Sequence, residues 1–225
     1  MRMAGLIAIL LLVAGCSSAT DGEPERITPI PPNTSRPSST TTASTTAPAQ
    51  PPAPGAPVGD VIAWIEAGDT ADAADYHVAM RDGTTTDLGE DVAFVTPSGT
   101  TNCMTDSRYS AGAVACLVDL TDPPPQPDDA YGEWKGGWVD FDGTSVAVGS
   151  VHGDPGPFTA GTGTELPYGR SLGFGDYQCR TDQVGLFCAN RAHGTAVRYS
   201  DAGIEPFGCL EPVTAPPQIG EMFSC

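Results

Sequence analysis

Six of the seven cysteines fall in three close pairs, Cys103 with Cys116, Cys179 with Cys188 and Cys209 with Cys225, and this spacing constrains the fold more than any other feature. Six cysteines admit fifteen pairings, but each sequential pair brackets a segment with turn chemistry. Cys103 and Cys116 enclose Ser110-Ala111-Gly112, and Cys179 and Cys188 enclose Asp182-Gln183-Val184-Gly185. Facing positions of an antiparallel hairpin lie about 4.5–5.5 Å apart at their Cα atoms, within the reach of a disulfide. The spacing therefore predicts sequential pairing, with the third bridge closing the last, proline-rich segment onto the body. On the loop-entropy view each bridge contributes about 3 kcal/mol, so three together rival the net stability of a whole domain. No pair has CxxC spacing, and neither a metal site nor a cofactor is expected.

The seventh cysteine, Cys16, stands apart and closes a segment with the three parts of an export signal: Arg2, the apolar run Leu6 to Val13, and the small pair Ala14-Gly15. A spanning helix needs about 20 apolar residues, and this run is too short. Residues 1–15 therefore read as a lipoprotein signal peptide, with Cys16 as the acylated residue and palmitate among its chains. Each buried methylene contributes about 0.8 kcal/mol to membrane attachment. The expected location is the outer face of the cell membrane, lipid-anchored, in an oxidising compartment where disulfides form.

From Cys16 to residue 57 the chain is rich in Pro, Ser and Thr, with Pro31, Pro32, Pro37, Pro48, Pro51, Pro52, Pro54 and Pro57. Such a segment has too few large apolar side chains to offset the entropy of ordering. It reads as a disordered, extended stalk. Its composition suits O-glycosylation and an unmodified linker alike.

Residues 58–225 suit a single, mainly β domain. The one helix expected is a short one near its start, over Asp60 to Gly68, with Asp60 as N-cap and Val61, Ile62, Trp64 and Ile65 as its apolar face. Hairpins are expected where Arg81-Asp82-Gly83 separates Tyr76–Met80 from Thr84–Leu88, and where Asp142-Gly143 separates Gly137–Phe141 from Thr144–Val151. In Ala113–Leu120 the even residues Val114, Cys116, Val118 and Leu120 share one face, with Leu117 on the other. The 27 glycines and frequent turns favour an antiparallel sandwich or partly open barrel, disulfide-stapled, over an α/β sheet. The chain carries 28 acidic against 10 basic residues, with Lys135 its only lysine. This sign disfavours nucleic acid and anionic headgroups as ligands.

Phe94 and Pro97-Ser98-Gly99 before Cys103, Val114-Ala115-Cys116, Leu166-Pro167-Tyr168-Gly169, Tyr177-x-Cys179 and Gly185-Leu186-Phe187-Cys188-Ala189-Asn190 with His193-Gly194 together carry a resemblance. The set resembles a family of exported actinobacterial cysteine-hairpin domains and, over most of residues 1–212, the conserved mycobacterial lipoproteins of the LppI type. The chain departs from that pattern at Thr100 and Thr101, where the family has Asn and then an apolar residue. The resemblance implies a lipid-anchored, disulfide-containing domain and carries no catalytic residues across.

Several patterns imitate active sites. Gly169-Arg170-Ser171-Leu172-Gly173 matches GxSxG, with Asp182 and His193 following in hydrolase order. The motif needs a strand before the serine and a helix after it, whereas Phe174–Cys179 reads as strand, so a glycine-rich turn ahead of the hairpin is expected. Asp140-Phe141-Asp142-Gly143 starts like a calcium loop but lacks the correctly placed glycine and final carboxylate. It reads as a hairpin turn. Asp75 and His77 read as a strand entry, and His152 as a surface histidine, with a site shared with Asp154 the alternative. Trp134 and Trp138, four apart on a strand, either fill a core or form a sugar-stacking platform, with Tyr131, Glu133 and Asp140 as its polar fringe.

Two classes of function remain open at this point. One is a non-catalytic binding or structural role toward an envelope protein or a wall glycan. The other is an envelope hydrolase with an unrecognised site. The absence of a convincing nucleophile, metal set or carboxylate pair favours the first.

Overall fold

The computed structural model describes residues 50–152 and 155–225. The signal peptide, Cys16 and the stalk up to residue 49 lie outside the described residues, as does Asp154. Helix α1 spans Val58–Glu66 and buries Val61, Trp64 and Ile65, spaced three and four apart so that they share one face. It begins two residues before the expected Asp60. Pro57 occupies the N-cap position, and its carbonyl accepts from the Asp60 and Val61 amides at 2.9 and 3.3 Å. Asp60 instead sits in the first turn, where its charge faces the positive end of the helix.

Sixteen strands follow among the described residues. They are β1 (Asp69–Thr70), β2 (Val78–Arg81), β3 (Thr84–Asp87), β4 (Ala93–Val95), β5 (Thr101–Thr105), β6 (Val114–Val118), β7 (Trp134–Phe141) and β8 (Ser145–Val151), then β9 (Thr162–Glu165), β10 (Arg170–Phe174), β11 (Tyr177–Asp182), β12 (Gly185–Asn190), β13 (Thr195–Ser200), β14 (Gly203–Phe207), β15 (Glu211–Val213) and β16 (Ile219–Ser224). They form a six-stranded sheet, β1-β10-β11-β12-β13-β14, and a ten-stranded sheet, β15-β16-β8-β7-β6-β5-β4-β9-β2-β3, neither closed into a barrel. The molecule is mainly β, as expected. Most pairings are antiparallel, but β1 runs parallel to β10 and β9 parallel to β4. Gly163 makes the second of these possible, because a Cβ there would lie 2.1 Å from the Ala93 carbonyl carbon.

The inner faces of the two sheets meet in one core. Phe94, Val114, Cys116, Val118, Val139, Phe141, Val146 and Val148 come from the larger sheet, and Leu172, Tyr177, Cys179, Leu186, Cys188, Val197 and Tyr199 from the smaller. The even face of Ala113–Leu120 points inward, while Leu117 packs on the opposite side beside Met104 and Trp138. Helix α1 covers the outer face of the six-stranded sheet through Phe187, Ala189, Ala196 and Phe207. The T-shaped contact of Trp64 with Phe187, centroids 4.9 Å apart, anchors it there. A short 3₁₀ turn, Gly156–Ala160, lays Phe158 over the outer face of the larger sheet.

The bridges join Cys103 to Cys116, Cys179 to Cys188 and Cys209 to Cys225. The first two couple directly opposite positions of β5–β6 and β11–β12. Their Cα atoms lie 4.1 and 4.0 Å apart, closer than the hairpin expectation. The third joins Cys209, in the connection from β14 to β15, to Cys225 just past β16, and so closes the open end of the β15–β16 hairpin.

The expected hairpins form with shifted ends. Asp82 and Gly83 both have positive φ, 50° and 78°, which matches the right-handed twist of the flanking strands. Tyr76, however, closes a 3₁₀ turn, Ala73–Tyr76, in which Asp75 also lies, so the strand starts only at Val78. His77 Nδ1 lies 2.9 Å from the Asp91 carbonyl. Phe174–Cys179 is not one strand: Gly175 and Asp176 turn the chain between β10 and β11. Residues assigned to the stalk also touch the body. Ala56 packs into the helix cluster, and the Gly55 amide donates to Glu205 at 3.1 Å.

Candidate binding cleft

Trp138 is 4 % exposed and is a core residue. It meets Phe158 edge-on at 5.0 Å and stacks on His152 with centroids 3.5 Å apart. A register shift in β7 between Lys135 and Val139 separates its surroundings from those of Trp134. Trp134 is half-buried, lies against Gly149 and donates its indole N–H to the Pro124 carbonyl at 3.1 Å. The two rings therefore form no shared platform, and Tyr131, at 83 % exposure, stands without them. Glu133 pairs with Lys135 instead of fringing a sugar. Burial pushes the Asp140 carboxyl up, partly offset by the nearby Trp138 indole and reinforced by Asp142.

A cleft of about 400 Å³ opens at one end of the sandwich, where the Asp142-Gly143, Gly175-Asp176 and Arg191–Gly194 turns meet the loop Asp106–Ala113. Phe174 and the buried Val92 and Tyr177 supply its apolar lining, and Glu90, Asp91, Asp142, Asp176 and His193 its charge chemistry. Two of these carboxylates are committed to structure. Asp91 accepts from Thr105 Oγ1 at 2.9 Å, the Ser107 amide at 2.8 Å and Ser107 Oγ at 3.0 Å. Asp142 accepts from the amides and hydroxyls of Thr144 and Ser145 at 2.7–3.0 Å. Burial alone would raise the Asp142 carboxyl, yet these bonds outweigh it and hold the group below the ordinary carboxylate range. Glu90 and Asp176 are exposed, and among the described residues their side chains take part in no hydrogen bond or ion pair.

Tyr177 spans the cleft and the core, donating its hydroxyl to the Phe141 carbonyl at 3.0 Å. Burial pushes that hydroxyl up to about 12, so it stays protonated in the cleft. The Asn190 side chain accepts the His193 amide at 3.1 Å and fixes the turn that carries the imidazole. The imidazole lies over Gly143, its Cδ2 3.0 Å from where a Cβ would stand.

Nucleophilic catalysis needs a hydroxyl hydrogen-bonded to a base that can take its proton. Ser107 and Thr105 donate to the Asp91 carboxylate, which also accepts the Ser107 amide, and Ser110 donates to the Asp106 carbonyl at 2.7 Å. Among the described residues, no hydroxyl of the cleft donates to His193. A carboxyl held low, as Asp142 is, is also a poor general acid. The GxSxG match dissolves as well. Ser171 is fully buried within β10, accepting from Gln178 Nε2 at 2.8 Å, and so is a strand residue and not the expected turn serine. Asp182 ends β11, paired with Gly185 at the start of β12, whereas His193 sits in the turn beyond the other end of β12.

Among the described residues, no group of three or more His, Cys, Asp or Glu is placed to hold a metal ion. No described helix is long and apolar enough to cross a membrane. No protein-family model, curated protein or solved structure matches the chain. Glu90, Asp91, Asp142 and Asp176 were not legible as a set. Glu90 and Asp91 share the β3–β4 connection, whereas Asp142 and Asp176 sit at two other turns, and only the strand order brings these three places to one end.

Proposed function

We propose that the chain is an exported lipoprotein, held at the outer face of the cell membrane by acyl chains on Cys16, palmitate among them, and that its sandwich is a non-catalytic binding module for an envelope protein or wall glycan. The lipoprotein-type segment ending at Cys16 and the resemblance to exported cysteine-hairpin domains support the address. The observation that carries the binding role is the cleft: open, acidic, and with its serine and threonine hydroxyls donating to Asp91 and to the Asp106 carbonyl instead of to the imidazole. Glu90 and Asp176 offer free negative charge beside the apolar Phe174, which suits a basic, partly apolar protein segment. Buried polar groups held in fixed bonds keep that surface preformed.

The observation favouring a hydrolase is His193 standing in the cleft beside carboxylates. The two readings separate in one experiment. Full chain is recovered from envelopes by mild cross-linking, as wild type and as Asp176→Lys and His193→Ala. Binding predicts a captured partner that the charge reversal loses and the histidine variant largely retains. Ester or amide hydrolysis by the wild type that vanishes with His193→Ala alone would establish the hydrolase.

A further inference from the structure

At the opposite end of the sandwich a second, smaller groove of about 180 Å³ lies between the β4–β5, β11–β12 and β13–β14 turns and Tyr168 of the β9–β10 connection. We infer that this groove binds a neutral saccharide, as the glycan-recognition site of the binding module; the inference rests on the binding reading above. The groove is below the roughly 300–1,000 Å³ typical of sites for larger ligands, which suits a single sugar ring or a chain end. Tyr168 is 44 % exposed at its rim and Val184 45 %, so an aromatic ring and an aliphatic side chain face solvent together. That is the apolar component needed to cover the C–H face of a pyranose.

The polar component is a dense mixture of donors and acceptors. Ser98 Oγ lies 3.0 Å from Thr96 Oγ1 and 2.8 Å from Thr100 Oγ1, a chain of hydroxyls whose protons can reorient around a ligand hydroxyl. Asp182 uses one oxygen to accept the Val184 amide at 3.2 Å. The Asp201 carboxylate, the Gln183 amide and the Tyr168 hydroxyl enter no hydrogen bond among the described residues. Carboxylates accepting from sugar hydroxyls make the stronger, charge-assisted kind of bond, and Asp182 and Asp201 would repel an anionic ligand. A neutral polyol with one apolar face satisfies all of these groups at once.

The test uses the full chain in detergent, titrated calorimetrically with chitotriose, an arabinose oligomer and a galactose oligomer. Saturable binding of at least one is expected. Tyr168→Ala should weaken it by about tenfold, roughly the worth of one aromatic stacking contact, and Asp201→Asn should weaken it further, with thermal midpoints unchanged. The inference is overturned if none of the three saturates, or if Tyr168→Ala binds as wild type does. Capture of a protein partner through Asp176 alongside no saccharide binding sinks this site and leaves the binding module standing. Loss of both sinks the parent reading.

Discussion

Two buried tyrosines show how one hydroxyl can stabilise this core and another weaken it. Tyr177 donates to the Phe141 carbonyl, whereas the Tyr199 hydroxyl is buried with no hydrogen-bond partner among the described residues. Burial pushes the Tyr199 hydroxyl well above its ordinary range. Tyr177→Phe should cost about 1 kcal/mol, and Tyr199→Phe should be neutral or stabilising by about the same amount, because it removes an unpaired polar group. Urea unfolding of the two variants checks the opposite signs. Ser171→Ala should cost about 0.5–1.5 kcal/mol through the lost Gln178 bond, without effect on any envelope phenotype. Trp138→Ala should cost about 3–5 kcal/mol, since it empties a site packed by Phe158 and His152. Asp140 adds a pH dependence. Its folded carboxyl is raised above the ordinary 3.8, so the ionised form opposes folding at neutral pH and the penalty fades as pH falls and both states protonate. Asp140→Asn should therefore raise the thermal midpoint at pH 7 and give no gain below about pH 4. A gain that persists at low pH would contradict the burial argument.

At the scale of elements, short-range chemistry was readable and long-range closure was not. Close cysteines, Asp82-Gly83 and Asp142-Gly143 announce their hairpins because turn geometry is local. The parallel pairings of β1 with β10 and β9 with β4 leave no such trace, since they join segments far apart in the chain. Helix α1 was expected from its apolar spacing, but its start was misplaced because Pro57 can open a helix without a side-chain cap. Trp134 and Trp138 look like a platform at ideal strand period. The irregularity between Lys135 and Val139 is set by the neighbouring strand and by Gly136 and Gly137, one of which would drive a Cβ to 2.1 Å from the Val118 carbonyl oxygen. Non-reducing peptide mapping should return the three sequential bridges. Opening Cys209–Cys225 by double serine substitution should loosen β15 and β16 first, seen as faster amide exchange there than in β11 and β12.

On the proposed reading, the two binding sites of the molecule are separated by position. The Cys103–Cys116 and Cys179–Cys188 bridges and the strand ladders hold the middle of the sandwich, while its two ends carry the turns that line the cleft and the groove. The acidic cleft and the hydroxyl-rich groove lie at opposite ends of β12, so the two proposed ligands would not compete. The proposed tether belongs to this scale as well: Cys16→Ala should leave the sandwich folded and move the protein out of the detergent phase, and unchanged partitioning of a processed variant would remove the anchor from the account. The most direct measurement of the central claim is envelope cross-linking of the full chain with wild-type cleft, Asp176→Lys and His193→Ala compared side by side. The account predicts one partner, lost on charge reversal and kept without the imidazole. A partner kept by Asp176→Lys, or a hydrolytic activity abolished by His193→Ala, contradicts it.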